Sequence, residues 1–139
     1  MKNPDMCLAH CVRRADRVVS QLYNDHLAPL GIRITQFSIM RALHLLESTT
    51  ARQLQEVLVM DQTTVSRALK PLIRDGYIHT GAGANKREKA LSLTKEGEEL
   101  YLAAQTPWKA AQKQLKKKLG KGQDQLLVEL SQLIVSLKQ

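Results

Sequence analysis

Six polar side chains in one short stretch could carry out recognition chemistry: Gln62, Thr63, Thr64, Ser66, Arg67 and Lys70, within ARQLQEVLVMDQTTVSRALKPLIRD, residues 51–75. Hydroxyls and amides can donate to and accept from base edges, and an arginine can meet guanine O6 and N7 with two hydrogen bonds. Lys70, with Arg74 behind it, suits a phosphate. The set has this meaning only if its members share one face of a helix. Val65, Leu69, Leu72 and Ile73 recur at i, i+4, i+7 and i+8 and claim the opposite face for a core. Asp61 stands where an N-cap belongs, its carboxylate placed to accept a backbone N–H of the next turn. Ahead of it, Leu54, Val57 and Leu58 give one apolar face to a shorter helix, with a tight junction at Val59, Met60 and Asp61. The spacing predicts two helices and a turn, the second helix with an N-terminal end fit for a DNA major groove.

The remaining elements must hold that pair. Asn3-Pro4-Asp5 reads as a helix start, and the helix is expected to run to about Leu27. Leu8, Val12, Ala15, Val19 and Leu22, ending at His26 or Leu27, lie along one of its stripes, and Cys7, Cys11 and Val18 along another. A helix apolar on two sides needs more partners than one small domain offers, which points to a second subunit. Pro29 and Gly31 break the chain. Thr35 is then expected to cap a helix with Phe37, Met40, Leu43 and Leu46 facing the core, and Glu47-Ser48-Thr49-Thr50 to form a polar connector.

After Asp75, Gly76 is a stop signal and Tyr77-Ile78-His79-Thr80 is rich in strand formers. Ala90-Leu91-Ser92-Leu93 alternates and returns as a second strand. The tip between them, GAGANKREK, has nothing to bury, and its Lys86 and Arg87 stand beside a second basic helix. Helix, turn, helix and a basic-tipped hairpin make a winged helix. From Thr94 a long helix follows, with Leu100, Ala103, Ala104, Trp108, Ala111, Leu115 and Leu119 as its stripe and Pro107 expected to bend it. Lys116-Lys117-Lys118 reads as favourable charge at a helix C-terminus, in preference to a DNA contact. The last helix, Asp124 to Lys138, carries Leu126, Leu127, Leu130, Leu133, Ile134 and Leu137. Exposed if alone, that stripe makes a dimer core against the first helix and a partner's copy.

Composition agrees. The 139 residues hold 21 Lys and Arg against 13 Asp and Glu, a net +8, which favours a polyanionic partner. An anionic membrane surface is the rival, but no basic helix here is both strongly amphipathic and aromatic-edged. No stretch has the apolar run of a signal peptide or of a bilayer span, so a soluble, cytoplasmic protein is expected. Two cysteines do not make a disulfide scaffold.

Over nearly its whole length the chain resembles the MarR family of winged-helix transcription regulators. The matching stretches are RRADRVVSQLYNDHLAPLGIRITQFSIMRAL, LQEVLVMDQTTVSRALKPLIRDGYI, the wing NKREKALSLTKEG, and TPWKAAQ. The resemblance implies one mostly α domain with a small β-hairpin wing. Residues 3–30 and 94–139 would supply intertwined dimerisation helices, and residues 31–93 the DNA-binding lobe. It also implies a homodimer on a palindromic double-stranded operator, usually as a repressor, relieved by a small anionic or phenolic ligand or by oxidation. One departure stands out. Family wings usually open Asp-x-Arg, whereas this chain has Asn85-Lys86-Arg87, so the acid that would steady the wing arginine is an amide.

Other chemistry is absent. GAGANK lacks the Ser/Thr and the strand-to-helix setting of a phosphate loop, no Ser-His-Asp set can be argued, and His44 and His79 read as structural or surface residues. An enzyme or a bound cofactor is not expected. The rivals to a sequence-specific regulator are a non-specific nucleic-acid binder and a winged helix used for protein contacts. Cys7, His10 and Cys11 share one helix face at i, i+3 and i+4. Thiolate and imidazole suit zinc or copper, and an N-terminal cysteine is similar to the family's peroxide-sensing branch. The preferred reading is that both cysteines are small apolar residues in a dimer interface.

Overall fold

A computed structural model describes residues 6–85 and 87–138. In chain order they form α1 (Leu8–Leu27), a 3-10 turn (Ala28–Leu30), α2 (Ile34–Leu46), α3 (Ala51–Leu58), α4 (Gln62–Arg74), β1 (Ile78–Asn85), β2 (Glu88–Leu93), α5 (Lys95–Leu119) and α6 (Gln123–Ser136). β1 and β2 pair antiparallel. The expected class, helical with a small hairpin, is what forms. Asn3-Pro4-Asp5 lies outside the described residues. Two compact units are present, Leu27–Thr106 and the remainder, and the boundary falls inside α5 just before Pro107.

In the unit Leu27–Thr106 the core is built from periodic apolar residues. Phe37, Met40 and Leu43 of α2 are buried with Leu54 of α3, Val65, Leu69 and Leu72 of α4, and Leu91 of β2. Each such side chain contributes roughly 1.5–3 kcal/mol relative to exposure. Tyr101 of α5 completes the layer, its ring 5.4 Å from that of Phe37 and 4.8 Å from the His44 imidazole. His44 Nδ1 in turn meets Glu98 Oε1, tying α2 to the start of α5.

Several expectations need correction. Leu46, Val57 and Ile73 were expected to face the core but are 47%, 59% and 38% exposed. They sit at or near helix ends, where the buried stripe has already rotated away. The cap of α2 is Arg33, not Thr35; the Gln36 side chain accepts from the Arg33 N–H at 2.9 Å and closes the first turn two residues earlier. The connector before α3 is not only solvated. Thr49 is buried, and its backbone exchanges two hydrogen bonds with Leu91, at 3.1 and 2.6 Å. Thr50 caps α3 through Gln53.

The hairpin also reaches further than its strand formers suggested, through the glycine-rich stretch to Asn85. Glycine is what permits it there. A Cβ on Gly83 would lie 1.9 Å from the Glu88 carbonyl oxygen, where the pairing slips between Ala82 and Asn85.

The exit from α4 and the start of α5 are locked together. Gly76 is left-handed (φ 82°) and Tyr77 N–H returns to the Leu72 carbonyl at 2.8 Å, ending α4. The Thr94 hydroxyl donates to the Gly76 carbonyl at 2.6 Å and accepts from Gly97 N–H at 3.0 Å, while Thr94 N–H bonds the Tyr77 carbonyl at 3.1 Å. The first turn of α5 lies so near the chain that a Cβ on Gly97 would sit 2.0 Å from the Tyr77 oxygen.

The other unit joins most of α1 to the second half of α5 and to α6. Ala111 is buried there, and the Tyr23 hydroxyl, its pKa raised by burial, donates to Gln112 Oε1. α6 has no buried residue: Leu126, Leu130 and Leu133 are at least half exposed, as are Leu137 just after it and Leu8, Val12 and Val18 of α1.

The contact at Gly97 is backbone against backbone and cannot relax by a side-chain rotation. Gly97→Ala should therefore cost about 1–3 kcal/mol, read as a lower urea midpoint. An unchanged midpoint would mean that α5 is not seated this closely.

Candidate nucleic-acid interface

The site begins with a turn. α3 ends at Val59, which adopts the left-handed conformation (φ 53°, ψ 50°) while Met60 N–H reaches back to the Gln55 carbonyl at 2.9 Å. A β-branched residue is unusual there, and the conformation costs on the order of 1–2 kcal/mol. Asp61 follows in an extended conformation and caps α4, its Oδ1 accepting from Thr64 N–H at 2.7 Å. That N–H, then the Thr64 hydroxyl, hold the Asp61 carboxyl below its ordinary range, and the Arg67 charge adds to the effect.

With Val65, Leu69 and Leu72 buried, the other face of α4 is presented whole. Gln62, Thr63, Thr64, Ser66, Arg67 and Lys70 are all exposed or half-exposed. All six residues singled out from the sequence thus share one surface. Of the wing pair, Arg87 lies exposed in the hairpin turn, and Lys86 lies outside the described residues. Two further cations belong near Arg87 and were not singled out from sequence. Arg52, on the first turn of α3, pairs with Glu88 at 3.7 Å. Arg52, Arg87 and Lys89 line one groove of about 390 Å³ with Leu69, Ile73 and Leu91. The sequence signal for this was the single acid Glu88 among the cations of KREK, which cannot reveal a partner more than thirty residues earlier.

The cysteine group belongs to the other unit. Cys7 and His10 are exposed and Cys11 is half-buried. Among the described residues no three His, Cys, Asp or Glu side chains are placed to hold a metal ion, so the zinc or copper reading of Cys7, His10 and Cys11 has no support.

A capped helix presenting polar side chains, preceded by a tight turn and followed by a basic hairpin, defines a winged helix-turn-helix. The MarR family's sequence profile matches residues 32–88, which span α2 to the wing. An uncharacterised HTH-type transcriptional regulator of Bacillus subtilis (strain 168), YwoH, is 31% identical over 94 residues, 68% of this chain and 69% of its own. The transcriptional regulator MosR of M. tuberculosis, in a crystal structure with DNA, is 28% identical, with a TM-score of 0.81 over 96% of this chain and 100% of that one. A cysteine-to-serine mutant of MarR from E. coli, in complex with operator DNA, shares the fold at 22% identity and TM-score 0.80, over 91% and 92% of the two chains. The chain belongs to the MarR family of DNA-binding transcriptional regulators.

Because the folded Asp61 carboxyl is more acidic than in the unfolded chain, its contribution is present above the ordinary carboxylate range. It is lost as the pH falls through the lower, folded value. Asp61→Ala should lower the thermal midpoint at neutral pH, and the gap to the parent should close below about pH 4. A gap of equal size at pH 7 and pH 3 would assign the loss to something other than the charged cap.

Proposed function

We propose that the protein is a homodimeric, sequence-specific repressor that acts in the cytoplasm on a palindromic operator. Thr63, Thr64 and Arg67 read bases in the major groove, Gln62 and Ser66 contact bases or phosphates, and Lys70 holds a phosphate. Lys86 and Arg87 border the adjacent minor groove. The observation that supports this most directly is the division of α4 into a buried apolar face and an opposite face carrying all six polar residues. Among the described residues no helix is long and apolar enough to cross a membrane.

Residues 3–30 and 94–139 serve as dimerisation helices in this reading, and residues 31–93 as the reading lobe. Support for the dimer comes from α6, whose leucines stay about half exposed among the described residues. Release from the operator is by a small ligand or an oxidant. Arg17 and Lys118, with Asp25 and His26, line a groove of about 640 Å³ beside Val18 and Leu22, and the two cations suit a small anion. The exposed Cys7 and half-buried Cys11 are accessible to an oxidant, although interface packing remains the preferred reading of both.

Arg67→Ala should cost about 1–3 kcal/mol on an operator selected by the parent and relax preference at one position per half-site. Lys70→Ala should weaken operator and random DNA alike and lower the salt slope by about one unit. If Arg67→Ala binds both DNAs as the parent does, the base-reading role is wrong. Affinity that is wholly salt-driven and sequence-blind would favour a non-specific binder, and no DNA binding at low salt a protein-contact module.

Deleting Asp124–Gln139 should give monomers or insoluble protein, and footprints of the intact dimer should show half-sites roughly 10 bp apart, centre to centre. A soluble truncated chain that still sediments as a dimer would count against this assignment.

A further inference from the structure

The positive charge of this chain is concentrated away from its reading lobe. Residues 27–106 hold ten Lys and Arg against eight Asp and Glu, a net +2, whereas residues 1–26 and 107–139 hold eleven against five, a net +6. The imbalance is greatest from Pro107 to Gln123, which contains six lysines and no acid. On α5, Lys109, Lys113 and Lys116 follow at i, i+4 and i+7 with Lys117 beside them, and all four are exposed. The buried Ala111 and half-buried Leu115 commit another part of that helix to packing. The three aligned lysines extend over roughly 10 Å of helix. They line a groove of about 390 Å³ together with Gln112 and Trp108, the sole tryptophan of the chain.

Helix physics does not account for this stripe. The macrodipole favours cations in the last turn, which covers Lys116, Lys117 and Lys118, but its effect has faded by Lys113 and Lys109. Lys109 with Lys113, and Lys113 with Lys117, are like charges at i, i+4 and repel, with no acid interleaved. Such an arrangement is favourable when a polyanion neutralises it.

We propose that Lys109, Lys113, Lys116 and Lys117 form a second, sequence-independent nucleic-acid contact, one that holds the backbone of a DNA segment other than the one read by α4. Lysine ammonium groups are point charges that grip phosphates without fixing their orientation, which suits a contact blind to sequence. A membrane surface fits less well, because the apolar surface beside the stripe is limited to the half-buried Trp108 and to Leu119 at the helix end, less than an interfacial helix inserts. The proposal goes beyond the operator reading, and the two can fail separately.

Trp108 emission provides the test. The full-length parent is titrated with a non-operator duplex at low salt and compared with two variants. One is Lys109→Gln, Lys113→Gln, Lys116→Gln and Lys117→Gln together; the other is Arg67→Ala with Lys70→Ala. The parent and the Arg67 variant should both show a Trp108 response. The four-lysine variant should lose that response and at least about tenfold in affinity for the non-operator duplex, with a salt slope lower by up to roughly 0.9 per lysine removed. Its binding to an operator selected by the parent should be retained, and a circular dichroism spectrum like the parent's shows that it is folded. The proposal is overturned if the parent shows no Trp108 response, or if the four-lysine variant responds as the parent does. A response to phosphatidylserine vesicles but not to the duplex overturns it as well. Loss of operator selectivity in the parent would instead strike the recognition helix and leave the lysine result standing.

Discussion

The placing of α4 beside the hairpin depends on a knot of contacts between residues 76 and 97. The Thr94 hydroxyl bonds both the carbonyl that ends α4 and the N–H of Gly97, and α5 presses its first turn against Tyr77. Three elements are fixed at once: the last turn of α4, the first residues of the hairpin and the direction in which α5 leaves. Residues so placed carry no recognition chemistry of their own, yet the spacing between α4 and the wing is set there.

Much of this was legible in the residues. α4 could be read because Val65, Leu69 and Leu72 keep helical spacing over about two turns, and because Asp61 is a strong cap signal just before them. The polar face then follows by geometry alone. What escaped was set by contacts distant in sequence. Thr49 looked like connector until its pairing with Leu91 placed it beside the hairpin, some forty residues on. Gly81 and Gly83 looked like a loop because glycine is a poor strand former, whereas Gly83 is needed where two backbones nearly touch. Leu46, Val57 and Ile73 obeyed the period but sat where the core had ended, and periodicity carries no information about where neighbouring elements stop. The wing acquired Arg52 as a neighbour for the same reason.

The turn between α3 and α4 shows how conformational cost and charge are distributed. Val59 occupies a left-handed conformation that a glycine would accept more readily, and the next residue but one, Asp61, supplies a cap whose carboxylate stays ionised well into acid. A strained residue and a strong cap two positions apart hold the turn in one geometry. The polar face of α4 therefore meets its surroundings pre-organised, with little ordering left to be done on contact.

The pairing of Thr49 with Leu91 has a mechanical consequence. Leu91 is bonded by its peptide group to Thr49 and is paired across the hairpin with Thr80, and Thr50, the next residue, caps α3. A force taken up at the hairpin is handed to the base of α3 through peptide groups, not through flexible side chains. Hairpin and helix pair are thereby joined through main-chain hydrogen bonds as well as through the buried side chains between them. A DNA duplex that touched both would meet them as one body, and any misfit in spacing would have to be taken up by bending of the duplex.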